Sequence, residues 1–203
     1  MGGSGREAAP APAYAGTVAA GQNSLGSRLR ALRTARGFSL AEVADGTGLS
    51  ASFLSLVETG RSDITISRLV RVVDFYGVRI TDLLDEVPRA DSMVVRRNEH
   101  RHLYSRAEGI DVHLLSPDTR GAMMPVLTTY EPTGNWAEFK GAPGSEAFVY
   151  VLNGRLELDV EGHDVVELRS GDSAYWHADR PHRIRNAGRA EVRTIAVVTP
   201  AAW

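Results

Sequence analysis

The sequence predicts a two-domain protein, an all-α bundle of five short helices followed by an all-β barrel. Two observations carry this reading. From 24 to 86 apolar residues recur at helical spacing, and the runs begin and end on capping residues. From 96 to 203 short alternating runs are separated by Gly, Pro, Asn and Asp at intervals of about 8 to 12 residues, the texture of an antiparallel sandwich or barrel. Between them, residues 87–95 contain Pro88 and lack helical period, so they read as a linker; residues 1–23, small and rich in Pro and Gly, read as a disordered tail.

Composition excludes several classes. A hydrophobic share of 43% with 24% charged residues is that of a globular chain that buries a core. The absence of cysteine rules out disulfide frameworks and thiolate metal sites. No apolar run reaches the roughly 18 residues that would cross a bilayer. The N-terminus lacks the basic start and apolar middle of a signal peptide, so a cytoplasmic location and no membrane partner are expected. A net charge of −2 gives no global mark of nucleic-acid binding, and any such mark must be local.

The helices follow in order. "SLGSRLRALRTARG" places Leu25, Leu29 and Leu32 on one face and stops at Gly37. "SLAEVADGTG" opens with a capping box of Ser39 and Glu42 and ends at Gly46 or Gly48. Ser50 caps "ASFLSLVETG", whose Phe53, Leu54 and Val57 are core residues and whose stop is Gly60. "TISRLVRVVDFYG" sets Ile66, Leu69, Val70 and Val73 at helical spacing, and "RITDLLDEV" forms the fifth helix.

The second and third helices, joined by a tight Gly-containing turn, have the layout of a helix-turn-helix. Through "SLAEVA", "GLS", "FLSLVETGR" and "TISRLVRVVDFYGV", in that order and spacing, the segment resembles the lambda-repressor-like (XRE) helix-turn-helix family over nearly its full length. The resemblance implies that the helix Ala51–Glu58 enters the major groove of double-stranded DNA. Ala51, Ser52, Ser55, Leu56 and Thr59 then face the bases: small and hydroxylated groups suited to thymine methyls, with no bidentate arginine for guanine. Phosphate contacts fall to Arg33, Arg36 and Arg61, and to backbone N–H groups at the helix starts marked by Ser39 and Ser50. Between 24 and 79 eight arginines face five acids, a modest local excess that predicts dimeric binding to two half-sites. Leu40 stands where the family often has a phosphate-contacting glutamine, and reads as a packing residue. Glu58 reads as a structural partner within the bundle.

The strands are carried by "IDVHLLS", "PVLTTY", "AFVYVL", "RLELDV", "DVVEL", "SAYW", "HRIRN" and "VRTIAVV", with a hairpin turn at Asn153–Gly154. Their order resembles the cupin family, double-stranded β-helix barrels with two signature segments. Gly134 and Gly154 fall at the ends of the first segment, and Lys140, Ala142 and Ala147 hold its three ligand places. In the second, Gly171 opens the segment, His177 and Asp179 replace the usual proline and glycine, and His182 and Asn186 fall on the family's histidine and asparagine. Two methyls and an ammonium cannot coordinate an ion, so no metal and no cofactor is expected. By alternation Glu138, Lys140, Val149, Val151, His182 and Ile184 line the lumen, with Ala142 and Asn186 beside them. Lys140, the single lysine of the chain, plugs the former metal site with Glu138 and His182, anchors an anionic or zwitterionic effector, or points outward. His100, His102, His113 and His163 show no ligand spacing within a cupin motif, and Trp136, Tyr150 and Trp176 read as packing residues.

Taken together the two resemblances look like the XRE–cupin bacterial transcriptional regulators. They imply a double-stranded DNA operator, a small-molecule effector, a homodimer or higher oligomer, and no catalytic role. Two other readings stand beside this one. A cupin-type metalloenzyme, of the non-haem iron epoxidase or dioxygenase kind, with a helix-turn-helix domain needs the histidines that the first segment lacks. An inert barrel that only dimerises needs no pocket.

Overall fold

The computed structural model describes residues 25–78, 83, 93–106, 108–117 and 121–199. The expected tail and most of the linker lie outside them. Four α-helices stand among the described residues, α1 (Leu25–Ala35), α2 (Leu40–Thr47), α3 (Ala51–Glu58) and α4 (Ile66–Tyr76), where the sequence predicts five. The fifth segment, 79–87, falls outside the described residues except for Leu83, which is buried in the helical core.

Local chemistry sets the helix boundaries. The Ser39 side chain accepts the Glu42 backbone N–H at 3.2 Å, and the Glu42 carboxylate accepts the Ser39 N–H at 2.7 Å, completing the capping box. Gly48 ends α2 in the left-handed region at φ 69°, where a Cβ would be strained. Ser50 caps α3 by accepting the Phe53 N–H, and Thr65 caps α4 by accepting the Arg68 N–H. Leu29, Val43, Leu54, Val57, Leu69 and Val73 close the core of this head. Helices α1 and α3 touch through Gly26: a Cβ built there would stand 2.1 Å from the Val57 carbonyl oxygen.

Among the described residues ten strands follow: β1 (His102–Ser105), β2 (Ile110–Leu114), β3 (Met124–Tyr130), β4 (Ala137–Phe139), β5 (Glu146–Asn153), β6 (Arg155–Val160), β7 (Val166–Arg169), β8 (Ser173–His177), β9 (His182–Asn186) and β10 (Val192–Thr199). They form a six-stranded sheet in the order β1-β2-β3-β10-β5-β8 and a four-stranded sheet in the order β4-β9-β6-β7, all neighbours antiparallel. Alternation is clean on β3 and β5, so Val126, Thr128, Val149 and Val151 point inward, against Leu156, Leu158 and Ile184 of the smaller sheet.

The Asn153–Gly154 turn does not make the expected hairpin. Strand β5 pairs with β10 and β8, while β6 pairs with β7 and β9, so the turn carries the chain from one sheet to the other. Gly154 has φ 90°, and a Cβ there would lie 2.6 Å from a Val192 methyl, so the corner is packed down on the start of β10. Tight packing at this corner, not cross-strand pairing, is what the Asn-Gly pair serves.

Helix α4 belongs to both halves. Leu69, Val72, Val73 and Tyr76 sit in the head's core, whereas Ile66 is buried in the barrel's core and Val70 packs against both. The Ile66 backbone N–H donates to the buried Glu108 carboxylate at 2.8 Å, tying the first turn of α4 to the barrel.

Candidate functional site

The head presents α3 outward. Leu54 and Val57 are buried under it, while Ser52, Ser55 and Leu56 are exposed on its other face, Thr59 is exposed at its C-cap, and Ala51 is half-buried at its start. The Ser50 and Ser52 hydroxyls lie 3.2 Å apart at its N-terminus. Arg36 and Arg61 are exposed, as is Ser39, whose side chain is occupied in the capping box. Arg33 behaves differently from the expectation of a phosphate contact. Its Nε and Nη2 donate to the two Glu58 oxygens at 2.7 and 2.9 Å, and its Nη1 donates to the Phe38 carbonyl at 2.9 Å. With its side chain 15% exposed, this guanidinium clamps α1 to α3. Glu58 is thus its structural partner. Leu40 packs against the head's core.

A cavity of about 1140 Å³ opens between the two sheets and extends to α4. Ile110, Met124, Val126, Val149, Ile184 and Val198 make its interior apolar, and Ser67, Val70, Arg71 and Asp74 of α4 form part of its wall. Val151, expected among the lining residues, is fully buried in the sheet and does not line it. Glu138 and Lys140 sit at its exposed rim, not inside. The parity of β4 explains this. Pairing with β9 sets Ala137 opposite Ile184 and Phe139 opposite His182, so Ala137 and Phe139 face inward and Glu138 faces away. A plug of Glu138, Lys140 and His182 is therefore not formed, and Lys140 is not a buried ammonium.

The family's ligand places do not fit a metal ion. Lys140 and Ala142 are exposed, Ala147 offers a methyl, and only the His182 imidazole remains in the lumen. His182 is 7% exposed and lies between the Phe139 and Trp176 rings, at 5.9 and 5.3 Å between centroids. Its Nδ1 is 2.9 Å from the Arg180 carbonyl, which fixes the proton on Nδ1 and leaves Nε2 as an acceptor. Burial lowers its pKa, against the smaller opposing effect of that hydrogen bond. The Trp176 indole N–H is buried without a hydrogen-bond partner among the described residues. An apolar chamber thus carries a neutral imidazole acceptor, with the Trp176 ring beside it. Asn186 is elsewhere engaged: its amide donates to the Tyr130 and Ala190 carbonyls and accepts the Gly188 N–H, which locks a turn. Trp136 lies under Arg183 and Arg185, at 4.9 and 4.5 Å, and Tyr150 is 40% exposed, so neither packs in the core.

Sequence reading also missed a cluster outside the cavity. His102 and His113 face each other across β1 and β2, and Asp111 lies two residues from His113 on the same face. His102 Nδ1 and His113 Nε2 are each 3.0 Å from an Asp111 oxygen. Despite the cost of burial, these two contacts hold the Asp111 carboxyl well below the usual carboxylate range, and the Asp111 bond raises His102. The signal was present as period two, His100 with His102 and Asp111 with His113, but it required knowing that the two strands pair.

Comparison with known proteins agrees with both halves. Residues 24–87 match the family described as helix-turn-helix domain, and residues 126–198 match the family described as cupin domain. Over 181 residues the chain is 27% identical to the HTH-type transcriptional regulator PuuR of Escherichia coli (strain K12), covering 86% of this chain and 94% of that protein. It is 24% identical to the HTH-type transcriptional regulator SutR of the same organism, covering 83% and 90%. A crystal structure of an HTH_3 family transcriptional regulator from Vibrio cholerae superposes with a TM-score of 0.65 at 20% identity, covering 88% of this chain and 96% of that one, a likeness of fold.

Proposed function

We infer that this chain, which joins an XRE-type helix-turn-helix domain to a cupin domain in the order of its regulator homologues, is a DNA-binding regulator of transcription without catalytic activity of its own. Helix α3 reads the major groove through Ser52, Ser55 and Leu56, with Arg36 and Arg61 on phosphate. Two copies act together on a two-fold operator. The outer face of the large sheet, with exposed Phe148, Tyr150, Leu152 and Tyr175, supplies an apolar surface suited to the second copy.

The observation that carries the reading is the cavity itself, because α4 forms part of its wall and also part of the head's core. A ligand seated there touches a helix that shares the head's core with α3, and so binds one arrangement of head and barrel better than another. The existence of the chamber also weighs against a barrel that serves only to dimerise. The lumen favours a mainly apolar molecule bearing one donor for His182 Nε2 and seated against the Trp176 ring. An anionic group is served at the edges of the chamber, by Lys140 at the rim and by Arg71 and Arg183 in the wall.

Selection from a random duplex library with the full chain tests this. The expected product is a motif of two half-sites, with centres about 10 base pairs or a multiple apart. Compounds found by thermal shift on the same chain should then change its affinity for the selected duplex several-fold, and Trp176→Phe should blunt that response. No enriched motif would remove the DNA reading; an enriched motif with stabilising compounds that leave affinity unchanged would remove the sensing reading.

A further inference from the structure

His102, Asp111 and His113 play no part in the cavity or in the reading helix, yet their ligand atoms all lie within 4.8 Å of one another. Each belongs to a paired strand, so backbone register, not a loop, fixes their positions: His102 is directly opposite His113, and the two rings stack at 5.0 Å. Two imidazoles and a carboxylate form a donor set that suits zinc-class divalent transition ions and is poor for the oxygen-seeking calcium and magnesium. Adjacent ligands of a tetrahedral zinc, at bonds of about 2.0 to 2.1 Å, stand about 3.3 Å apart. His102 Nδ1 and His113 Nε2 stand 3.0 Å from Asp111 Oδ1 and Oδ2 respectively, close to that spacing, so an ion takes the place of the two hydrogen-bonded hydrogens with a tautomer shift of each ring and adjustment of the side chains. Side-chain exposures of 31%, 31% and 23% for His102, Asp111 and His113 make the group partly dehydrated but reachable. The His100 ring stands 6.1 Å from that of His113, edge-on to it.

We propose that His102, Asp111 and His113 form a binding site for a divalent transition ion of the zinc class on the outer face of the large sheet, its fourth position filled by water. The site is separate from the cavity and from the vestigial cupin ligand places around His182. It requires no further partner, and His102 Nδ1, His113 Nε2 and an Asp111 oxygen are its protein ligands.

The test uses the full chain without a polyhistidine tag, stripped with chelator and titrated with Co²⁺, which reports coordination by visible absorption. One Co²⁺ per chain, displaced by Zn²⁺, is expected. His102→Ala and His113→Ala should each weaken binding by at least about tenfold, the lower bound set by what even supporting residues contribute at metal sites. His182→Phe, in the cavity, should leave binding unchanged. Absorption-edge fine structure of the wild-type Co²⁺ form, showing two imidazole ligands, decides the matter even where a variant fails to fold. No Co²⁺ uptake, uptake indifferent to both histidines, or uptake abolished by His182→Phe would overturn the assignment.

Discussion

Burial decides how His182 behaves. Because the folded chain holds it with a lowered pKa, the unfolded chain binds a proton near the ordinary value of about 6.5 that the folded chain refuses. The stability tied to this residue is therefore present above about pH 6.5 and is lost as pH falls through and below that value. His182→Phe keeps an aromatic ring between Phe139 and Trp176 and removes the titration. Denaturant melts between about pH 5 and 8 should show the wild type losing more stability on the acid side than this variant, and parallel curves would refute the assignment. At this scale the sequence was a partial guide. Alignment on the second cupin segment placed His182 in the lumen, where it is, and period two placed Val149 beside it. Lys140 and Glu138 were set inside because alternation allows two parities of equal merit, and only the pairing of β4 with β9 chooses between them. Arg33 was read by its charge alone; the carboxylate that claims it is 25 residues away in sequence.

Capping residues and apolar spacing made the elements of the head legible, since Ser39, Ser50 and Gly48 act on their own helices. Strand identities were equally readable, but strand partners were not, as the Asn153–Gly154 corner shows: a turn signal is local, whereas the choice of sheet depends on what packs beneath it. Contact between helices is illegible for the same reason. Gly26 sits within α1, where alanine would be favoured by about 1 kcal/mol from helix propensity alone. Its missing side chain instead admits the Val57 carbonyl, and a backbone atom cannot rotate out of the way of a Cβ at 2.1 Å. Overpacking of this kind typically costs about 1 to 3 kcal/mol, which exceeds the propensity gain. Gly26→Ala is therefore expected to lower the stability of the head in urea and, by shifting α3, to weaken binding to a selected operator. A variant as stable as the wild type would mean that α1 and α3 separate without cost.

The order of a helical part and a strand-rich part was written in the sequence, but the coupling between the halves was not. Ile66 and Val70 fit the helical period of the head, so nothing in α4 alone marks them as facing the barrel. Glu108 is the polar complement of that contact. Burial pushes its carboxyl above the usual range, while the Ile66 N–H, the Ser105 hydroxyl and Arg68 pull the other way. It remains worth keeping because it satisfies an N–H at the first turn of α4 that has no partner within the helix. Glu108→Ala leaves that donor buried and unmet, at a cost of about 1 to 3 kcal/mol, whereas Glu108→Gln preserves an acceptor without the penalty of a buried charge. If α4 transmits between the cavity and α3, Glu108→Ala should do more than destabilise. Urea unfolding followed separately by helical and by tryptophan signals should split into two transitions, since all three tryptophans, Trp136, Trp176 and Trp203, lie in the segment beyond the head. The operator response to a stabilising compound should fall with it, and Glu108→Gln should restore both. Coincident transitions with an intact response in Glu108→Ala would place the coupling elsewhere, in the apolar contact of Ile66 and Val70 alone.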